Sequence, residues 1–416
     1  MNDELENKIN KLQIDRSDWE LVKFGDVAKQ QKKTVDRDST ELTKYVKGEH
    51  MASEDLHIRE YGELTDEYLG PAFIRKFEKG DILYGSRRTY LRKVAIAHFD
   101  GITSNTTFVI KANDKKIDKR LLPFIMLSEG FAENSIRNSK GSVNPYINWK
   151  DIADYEFLLP PKDQQAQLAE LLWAMDEVIE KEMGVLKSLE KGFKSFRELF
   201  IENGLNQTTD SRKERFAKIS SKWRTAKLSS FCQLIGGNAF KSNNFKIQGK
   251  YQVLRIGNIT NAGFDLTKAP VFIDDISESE IKYLIPSGAI VLSLTGTNGK
   301  RDYGFPCLME EHNKHLLNQR LVMIIPDSSI MIPDFLFLLA KMELFQGRFF
   351  LNAIGTANQA NVSIHDVSQI KLPIPEISEQ MGIVEKINNF RYGLLNIEFK
   401  INSSQALQKS LINQIF

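Results

Sequence analysis

Ser86-Arg87-Arg88-Thr89-Tyr90 sets two guanidinium groups beside an aromatic ring, and Arg92 and Lys93 extend the charge. Arginine carries a rigid fork of donors that matches phosphate oxygens or the acceptor edge of guanine, while asparagine and glutamine match adenine. Asn138-Ser139-Lys140 is a second polar stretch of the same kind. Thr295-Gly296-Thr297-Asn298-Gly299-Lys300-Arg301 combines cations and an amide with glycines that let a backbone approach a phosphate. Lys241, between Phe240 and Ser242, and the pair Gln319-Arg320 complete the set. The chemistry such residues do is recognition, by hydrogen bonds and charge.

Residues for covalent chemistry are scarce. Asn144-Pro145-Tyr146 is similar to the Asn-Pro-Pro-aromatic motif that holds the target amino group in adenine methyltransferases. It lacks the second proline, and no glycine-rich cofactor loop precedes it, so it reads as a turn. Gly296–Lys300 lacks the four-residue gap and the hydroxyl after lysine that a phosphate-binding loop needs. His312 and His315 have no further ligands nearby for a metal and are expected on the surface. Two cysteines, Cys232 and Cys307, exclude a disulfide scaffold and a zinc ribbon.

The elements that position these residues come in two copies. Trp19–Val27 is answered by Trp223–Phe231, Gly80–Gly85 by Gly288–Ser293, and Asn105–Ile110 by Asn318–Met323. Ile147–Ile152 is answered by Val362–Val367, Pro160 by Pro375, and Gln165 by Gln380. The offset grows from 204 residues at the tryptophans to 215 at the prolines, so the second copy carries extra loop residues. Within each copy, short apolar runs such as Ile82–Tyr84, Val94–Ala97, Thr107–Ile110, Ala289–Leu292 and Leu321–Ile325 predict buried strands. Asp118–Glu129 and Pro333–Gln346 predict helices, the second with Pro333 at its first position and Gly347 past its end.

Each copy then runs into a long stretch of helical pattern. Leu168, Leu172, Met175, Ile179, Leu186, Leu189, Phe193, Phe196 and Phe200 recur at alternating spacings of four and three, with Glu182 the single interruption. That is a heptad seam. Ile383, Ile387, Phe390, Leu394, Ile397 and Ile401 repeat it, with a shift of phase to Leu407 and Leu411. Two such helices in one chain are expected to pair antiparallel as a coiled coil. The expected fold class is α+β, with two similar mixed α/β globules separated by the two long helices in a pseudo-twofold repeat. From Leu168 to Phe200, at ~1.5 Å per residue, the seam is ~48 Å long against ~34 Å for a turn of DNA. Two unlike modules on such a spacer would read two different half-sites across an unread gap. Leu171, Trp173, Val178 and Val185 are apolar residues off the seam, and Trp173 is the strongest candidate for partner binding.

The 416 residues are 42% hydrophobic and 26% charged, enough to bury real cores, and the net charge is only +2. Any contact with a polyanion must come from local patches. No run of eighteen apolar residues occurs and the N-terminus is polar, so no membrane contact and a cytoplasmic location are expected.

Gly80–Ala97 with Tyr45–His50 before it, and Tyr251–Ile259 in the second copy, resemble the target-recognition domain of type I restriction–modification specificity subunits. Gly141–Asn148 followed by Leu158-Leu-Pro-Pro161 and Gln164-Gln165, and Leu372-Pro-Ile-Pro375 with Glu379-Gln380, resemble that family's passages from recognition domain into long helix. The expected division is an N-terminal helical arm over 1–16, recognition domain 1 over 17–160, long helix 1 over 161–205, a polar and basic exposed linker over 206–222, recognition domain 2 over 223–375 and long helix 2 over 376–416. The resemblance implies a non-catalytic subunit that recognises a bipartite asymmetric target in double-stranded DNA. Such a subunit positions two methyltransferase subunits and, for restriction, the restriction and translocase subunits. No cofactor is expected on this chain; S-adenosylmethionine would sit on the methyltransferase partner. By their side-chain chemistry and their place on loops between strands, Ser86, Arg87, Arg88, Tyr90, Arg92, Asn138, Lys140, Lys241, Thr297, Asn298, Lys300, Arg301, Gln319 and Arg320 are the DNA-contact candidates. The alternatives are a stand-alone DNA methyltransferase or nuclease, and a coiled-coil scaffold that binds proteins only.

Overall fold

A computed structural model describes residues 14–36, 39–65, 68–205, 210–356 and 358–416. Most of the expected N-terminal arm therefore lies outside the described residues. The chain divides into two units, 1–187 with 396–416, and 188–395. The division cuts through both long helices, so each helix contributes to both units.

In the first unit, β1 (Glu20–Lys23) pairs with β10 (Glu156–Leu159), and α1 (Phe24–Val27) leads into β2 (Ala28–Gln31). Strands β2, β9 (Thr107–Ala112), β6 (Ile82–Gly85) and β7 (Val94–Ile96) form an antiparallel sheet in that order. A second sheet runs β4 (Gly62–Glu63), β3 (Lys44–Val46), β8 (Gly101–Ser104), β5 (Phe73–Phe77), with β3 and β8 parallel. Strand β9 lies between β2 and β6, which is why Phe108, Val109 and Ile110 form an unbroken buried run. Helices α2 (Leu122–Leu127), α3 (Glu129–Arg137) and α4 (Trp149–Ala153) close the core. The expected single helix Asp118–Glu129 breaks at Ser128, whose hydroxyl accepts the amide of Phe131 and caps α3.

The second unit is wired the same way. Strands β13 (Arg224–Lys227) and β26 (Lys371–Ile374) pair, and β14 (Cys232–Gly236), β23 (Leu321–Pro326), β19 (Ile290–Ser293) and β21 (Cys307–Leu308) form the sheet. Strands β18 (Phe272–Ile273), β15 (Tyr251–Leu254) and β22 (His315–Leu317) form the second sheet, with β15 and β22 parallel. Register corrects one equivalence read from sequence. Ile110 lies opposite Ile82, and Ile324, not Met323, lies opposite Ile290. The extra residue falls before β23, where Arg320 takes a left-handed conformation with φ 67°. The expected helix Pro333–Gln346 is also two, α6 (Pro333–Ala340) and α7 (Glu343–Leu351). Pro333 starts the first as expected, but Gly347 lies inside the second. A Cβ there would stand 2.7 Å from the Phe216 ring, so the glycine admits close packing and does not end the helix.

Phe216 belongs to a hairpin, β11 (Ser211–Glu214) with β12 (Ala217–Ser220), in the segment expected to be an exposed linker. Ile219 is fully buried, and Arg348 ties Glu214 at 3.2 Å. A single apolar anchor among polar residues left no pattern to read.

The two copies enter their long helices, α5 (Lys162–Asn203) and α9 (Ile377–Ile415), by the same bonds. Gln165 donates to Pro160 O at 2.8 Å and accepts the Asp118 amide at 2.7 Å. Gln380 donates to Pro375 O at 2.9 Å and accepts the Ile332 amide at 2.9 Å. Both glutamines are buried. Trp19 donates its indole N–H to Gln164 at 3.0 Å, and Trp223 donates to Glu379 at 2.9 Å. The repeated tryptophans and glutamines thus fasten each domain to the start of its helix, satisfying backbone groups that would otherwise be buried unpaired.

Within the first unit, Gln408 of α9 donates to Leu172 O at 3.4 Å and Ser404 to Glu182 at 3.0 Å, so the two helix segments run antiparallel. Ser404 is buried, as are Ile401, Leu411 and Ile415. Leu407 packs on the same core as Leu411, as the shift of phase expects, and beside them the polar residues Ser404 and Gln408 face α5. Within the second unit, Phe193 and Phe196 pack on Phe390, with ring centroids 5.3 and 5.2 Å apart.

Candidate nucleic-acid interface

After β6 the chain turns back beneath the hairpin that precedes α4. Arg87 bridges to Tyr146, the Arg88 amide donates to Pro145 O at 2.6 Å, and Arg88 Nε donates to Asn144 Oδ1 at 3.1 Å. Lys140 and Tyr146 exchange backbone hydrogen bonds of 2.8 and 2.9 Å across the hairpin. Arg87, Arg88, Tyr90 and Lys140 are thereby gathered on one exposed surface, beside Tyr146 and a 90% exposed Val143. Arg88 holds φ at 51°, which costs a non-glycine residue energy that the surrounding bonds must offset. Asn144 and Tyr146 are members that sequence reasoning set aside as part of a turn; the turn is what presents the arginines.

Other candidates have structural duties. Ser86 is buried, and its hydroxyl donates to Thr106 O at 2.6 Å. The Arg92 side chain is only 12% exposed and is gripped by Glu54 at 2.7 Å and by Glu129. Two carboxylates already neutralise it, so it is not a free contact. The Asn138 amide is used within α3, donating to Asn134 O at 2.9 Å.

The second unit builds the same feature from other residues. Strand β20 (Thr295–Gly296) pairs with β25 (Gln359–Asn361), itself paired with β24 (Ile354–Thr356). The Val362 amide donates to Leu294 O at 2.9 Å as the Ile147 amide donates to Ser86 O at 2.9 Å. Thr295 donates to Asn361 at 2.7 Å. Asn298 and Lys300 are exposed at the tip, and the Thr297 amide donates to Asp302 at 2.9 Å. Arg301 pairs with Glu343 at 2.9 Å, an exposed pair of little strength that a polyanion could displace.

Gln319 and Arg320 lie elsewhere, in an open hollow of about 350 Å³ that they share with Arg255, Asn258, Lys268 and Asn318. Arg255 and Lys268 were missed, although Arg255 stands two residues before Gly257 in a phrase that carries the family resemblance. Lys241 is exposed at the head of the turn Ser242–Asn244, where its carbonyl accepts the Asn244 amide at 3.0 Å, and its side chain makes no hydrogen bond or ion pair among the described residues.

Trp173 does not offer a free ring. Its indole N–H donates to Arg120 O at 2.9 Å, and its ring meets Phe124 edge-on, centroids 5.2 Å apart. It packs against its own unit's core, as do Leu171 and Val178. His315, expected at the surface, is buried in β22, because the parallel pairing with β15 places it inside. Burial pushes the Cys232 thiol up to about 12 and the Cys307 thiol to about 11, so neither is a nucleophile near neutral pH. Among the described residues no helix is long and apolar enough to cross a membrane.

Residues 16–191 and 220–404 match the type I restriction modification DNA specificity domain. The type I restriction enzyme MjaVIII specificity subunit of Methanocaldococcus jannaschii is 26% identical over 94% of this chain and 90% of its own. The EcoDI specificity subunit of Escherichia coli is 34% identical over 26% of this chain and 24% of its own. A chain from a type I restriction–modification system, solved in a study of its complex assembly and conformational transition, shares the fold with a TM-score of 0.58 and 16% identity, covering 97% of this chain and 98% of that one. The S subunit from M. genitalium does so at 0.53 and 13%, covering 98% of each. With two matched domains, the repeated wiring and relatives along nearly its whole length, the chain belongs to the family of type I restriction–modification specificity subunits.

Proposed function

We propose that this chain is the non-catalytic reader of a bipartite, asymmetric DNA target, and that it positions methyltransferase and restriction subunits on that target. The observation that carries the reading is the repeated surface feature with unlike residues. One unit presents Arg87, Arg88 and Lys140; the other presents Asn298 and Lys300 on the equivalent turn. Equivalent turns of different chemistry suit two different half-sites, unlike the palindrome read by a symmetric dimer. Gln319, Arg320, Arg255 and Lys268 supply a further basic surface for the second half-site. The helices shared by both units set the unread gap. S-adenosylmethionine binds the methyltransferase partner in this reading.

The test is methylome sequencing of a host expressing this chain with its methyltransferase. The expected result is one motif of two unlike half-sites around a fixed gap. Replacing Arg87 and Arg88 should alter one half-site and leave the other unchanged. A palindromic motif, or a motif indifferent to both loops, would overturn the reading.

A further inference from the structure

Inside the second unit, α5, α6 and α9 together with the segments 262–266 and 307–315 line an open cavity of about 500 Å³, in the range of small-molecule sites. Phe264, Met309, Phe337 and Ile387 give it an apolar wall. Arg197, Lys341 and Arg391 give it a cationic one. None of these three cations makes an ion pair or a side-chain hydrogen bond among the described residues. Arg197 Nε is buried without a partner, its guanidinium stacked 5.0 Å from the Phe193 ring. Lys341 Nζ sits 4.5 Å over the Phe337 ring. Burial pulls the pKa of Lys341 down, and the nearby charges of Arg391 and Arg197 lower it further. The buried ring of His315 also lines the space, with both nitrogens lacking hydrogen bonds; Glu311 approaches no nearer than 3.9 Å. Of the lining carboxylates, Glu311 is held by Lys314 at 2.8 Å, and Glu310 and Asp334 are exposed.

The first unit shows what a self-neutralised version looks like. Its own hollow beside the helices pairs His57 with Asp176 at 2.9 Å, Arg59 with Asp55 at 2.6 Å, and Lys409 with Glu54 at 2.8 Å. Gln380 follows Gln165 by 215 residues, and the same step along the helix puts Arg391 at the position of Asp176. The carboxylate that neutralises one hollow is a guanidinium in the other. Arg197 is half-buried with its Nε unpartnered, a costly arrangement, and a ligand that supplies the counter-charge gains from relieving that cost.

We propose that this cavity binds an organic carboxylate with an apolar body, its carboxylate held by Arg197, Lys341 and Arg391 and its body against Phe264, Met309 and Phe337. Inorganic anions satisfy only the first half of that description. The test is calorimetric titration of the purified full-length chain at low salt with 4-phenylbutyrate and, separately, inorganic phosphate. The expected result is saturable binding of 4-phenylbutyrate at one site per chain, weakened by about tenfold or more in the double variant Lys341→Gln/Arg391→Gln. Both replaced side chains are exposed at the cavity mouth, and an unchanged melting profile establishes that the variant is folded. Lys409→Gln, in the first unit, should leave binding as it was. Three results would overturn the proposal: no saturable binding up to about 10 mM, phosphate bound as tightly as 4-phenylbutyrate, or binding indifferent to the double variant.

Discussion

Ser404 donates its hydroxyl to the Glu182 carboxylate at 3.0 Å, so a polar residue of one helix seam meets a polar residue of the other. Glu182 interrupts one heptad pattern and Ser404 the other, and neither interruption is a defect. A polar pair inside an apolar seam fixes register, because any slip leaves both groups facing hydrocarbon. Ser404→Leu alone is expected to destabilise the first unit by about 1–3 kcal/mol, by stranding the carboxylate. Adding Glu182→Leu should recover most of that loss. Thermal unfolding of the two single variants and the double variant measures the coupling.

The buried glutamines predict a paired result. Gln380→Ala removes the acceptor for the Ile332 amide and the two N–H donors that serve Ile330 O and Pro375 O. The expected cost is about 2–4 kcal/mol, with faster hydrogen exchange at the Ile332 amide. Gln165→Ala should do the same at the Asp118 amide.

His57 gives the first unit a pH dependence. Its hydrogen bond to Asp176 raises its pKa above the ordinary histidine value. A raised folded-state pKa means the contribution is fully present below the unfolded value of about 6.5 and is lost as pH climbs through the folded one. Melting followed from about pH 6 to 9 should show stability falling, and His57→Gln should flatten the trend.

For DNA contact, Arg87→Ala and Arg88→Ala are expected to cost roughly 1–3 kcal/mol on the cognate site and less on a site changed at one base. Lys300→Ala should instead weaken both sites alike and reduce the salt slope by about one. Binding to matched duplexes across a salt series separates the two behaviours.

Trp173→Asp is expected to unfold the neighbourhood of Phe124, since the ring and its N–H are already committed to the first unit. Trp173→Phe keeps the packing, drops one hydrogen bond and should cost only about 1 kcal/mol. Circular dichroism of the two variants tests this.

Legibility in the sequence followed the range of the interactions. The strands at Ile82 and Ile324 and the seam from Leu168 to Phe200 write themselves as local apolar patterns, and the repeat doubles the signal. Trp19 and Gln165 were visible as repeated residues, but the bonds from Trp19 to Gln164 and from Asp118 to Gln165 were not, because those partners lie far apart along the chain. Arg92 looked like Arg88 in sequence; only the fold brings Glu54 and Glu129 to it. Ser404 was hidden because a polar residue facing a polar residue leaves no apolar mark. Ile219 was hidden because one anchor has no period.

The first unit is built from two separate stretches, 1–187 and 396–416, and Arg16 reaches Gln414 O at 2.6 Å. Leu411, Ile412 and Ile415 belong to the same core as Phe24 and Phe124. During synthesis the first unit therefore stays unfinished until residues 396–416 follow the contiguous second unit, 188–395. A premature stop just ahead of Asn396 would spare the second unit and cripple the first.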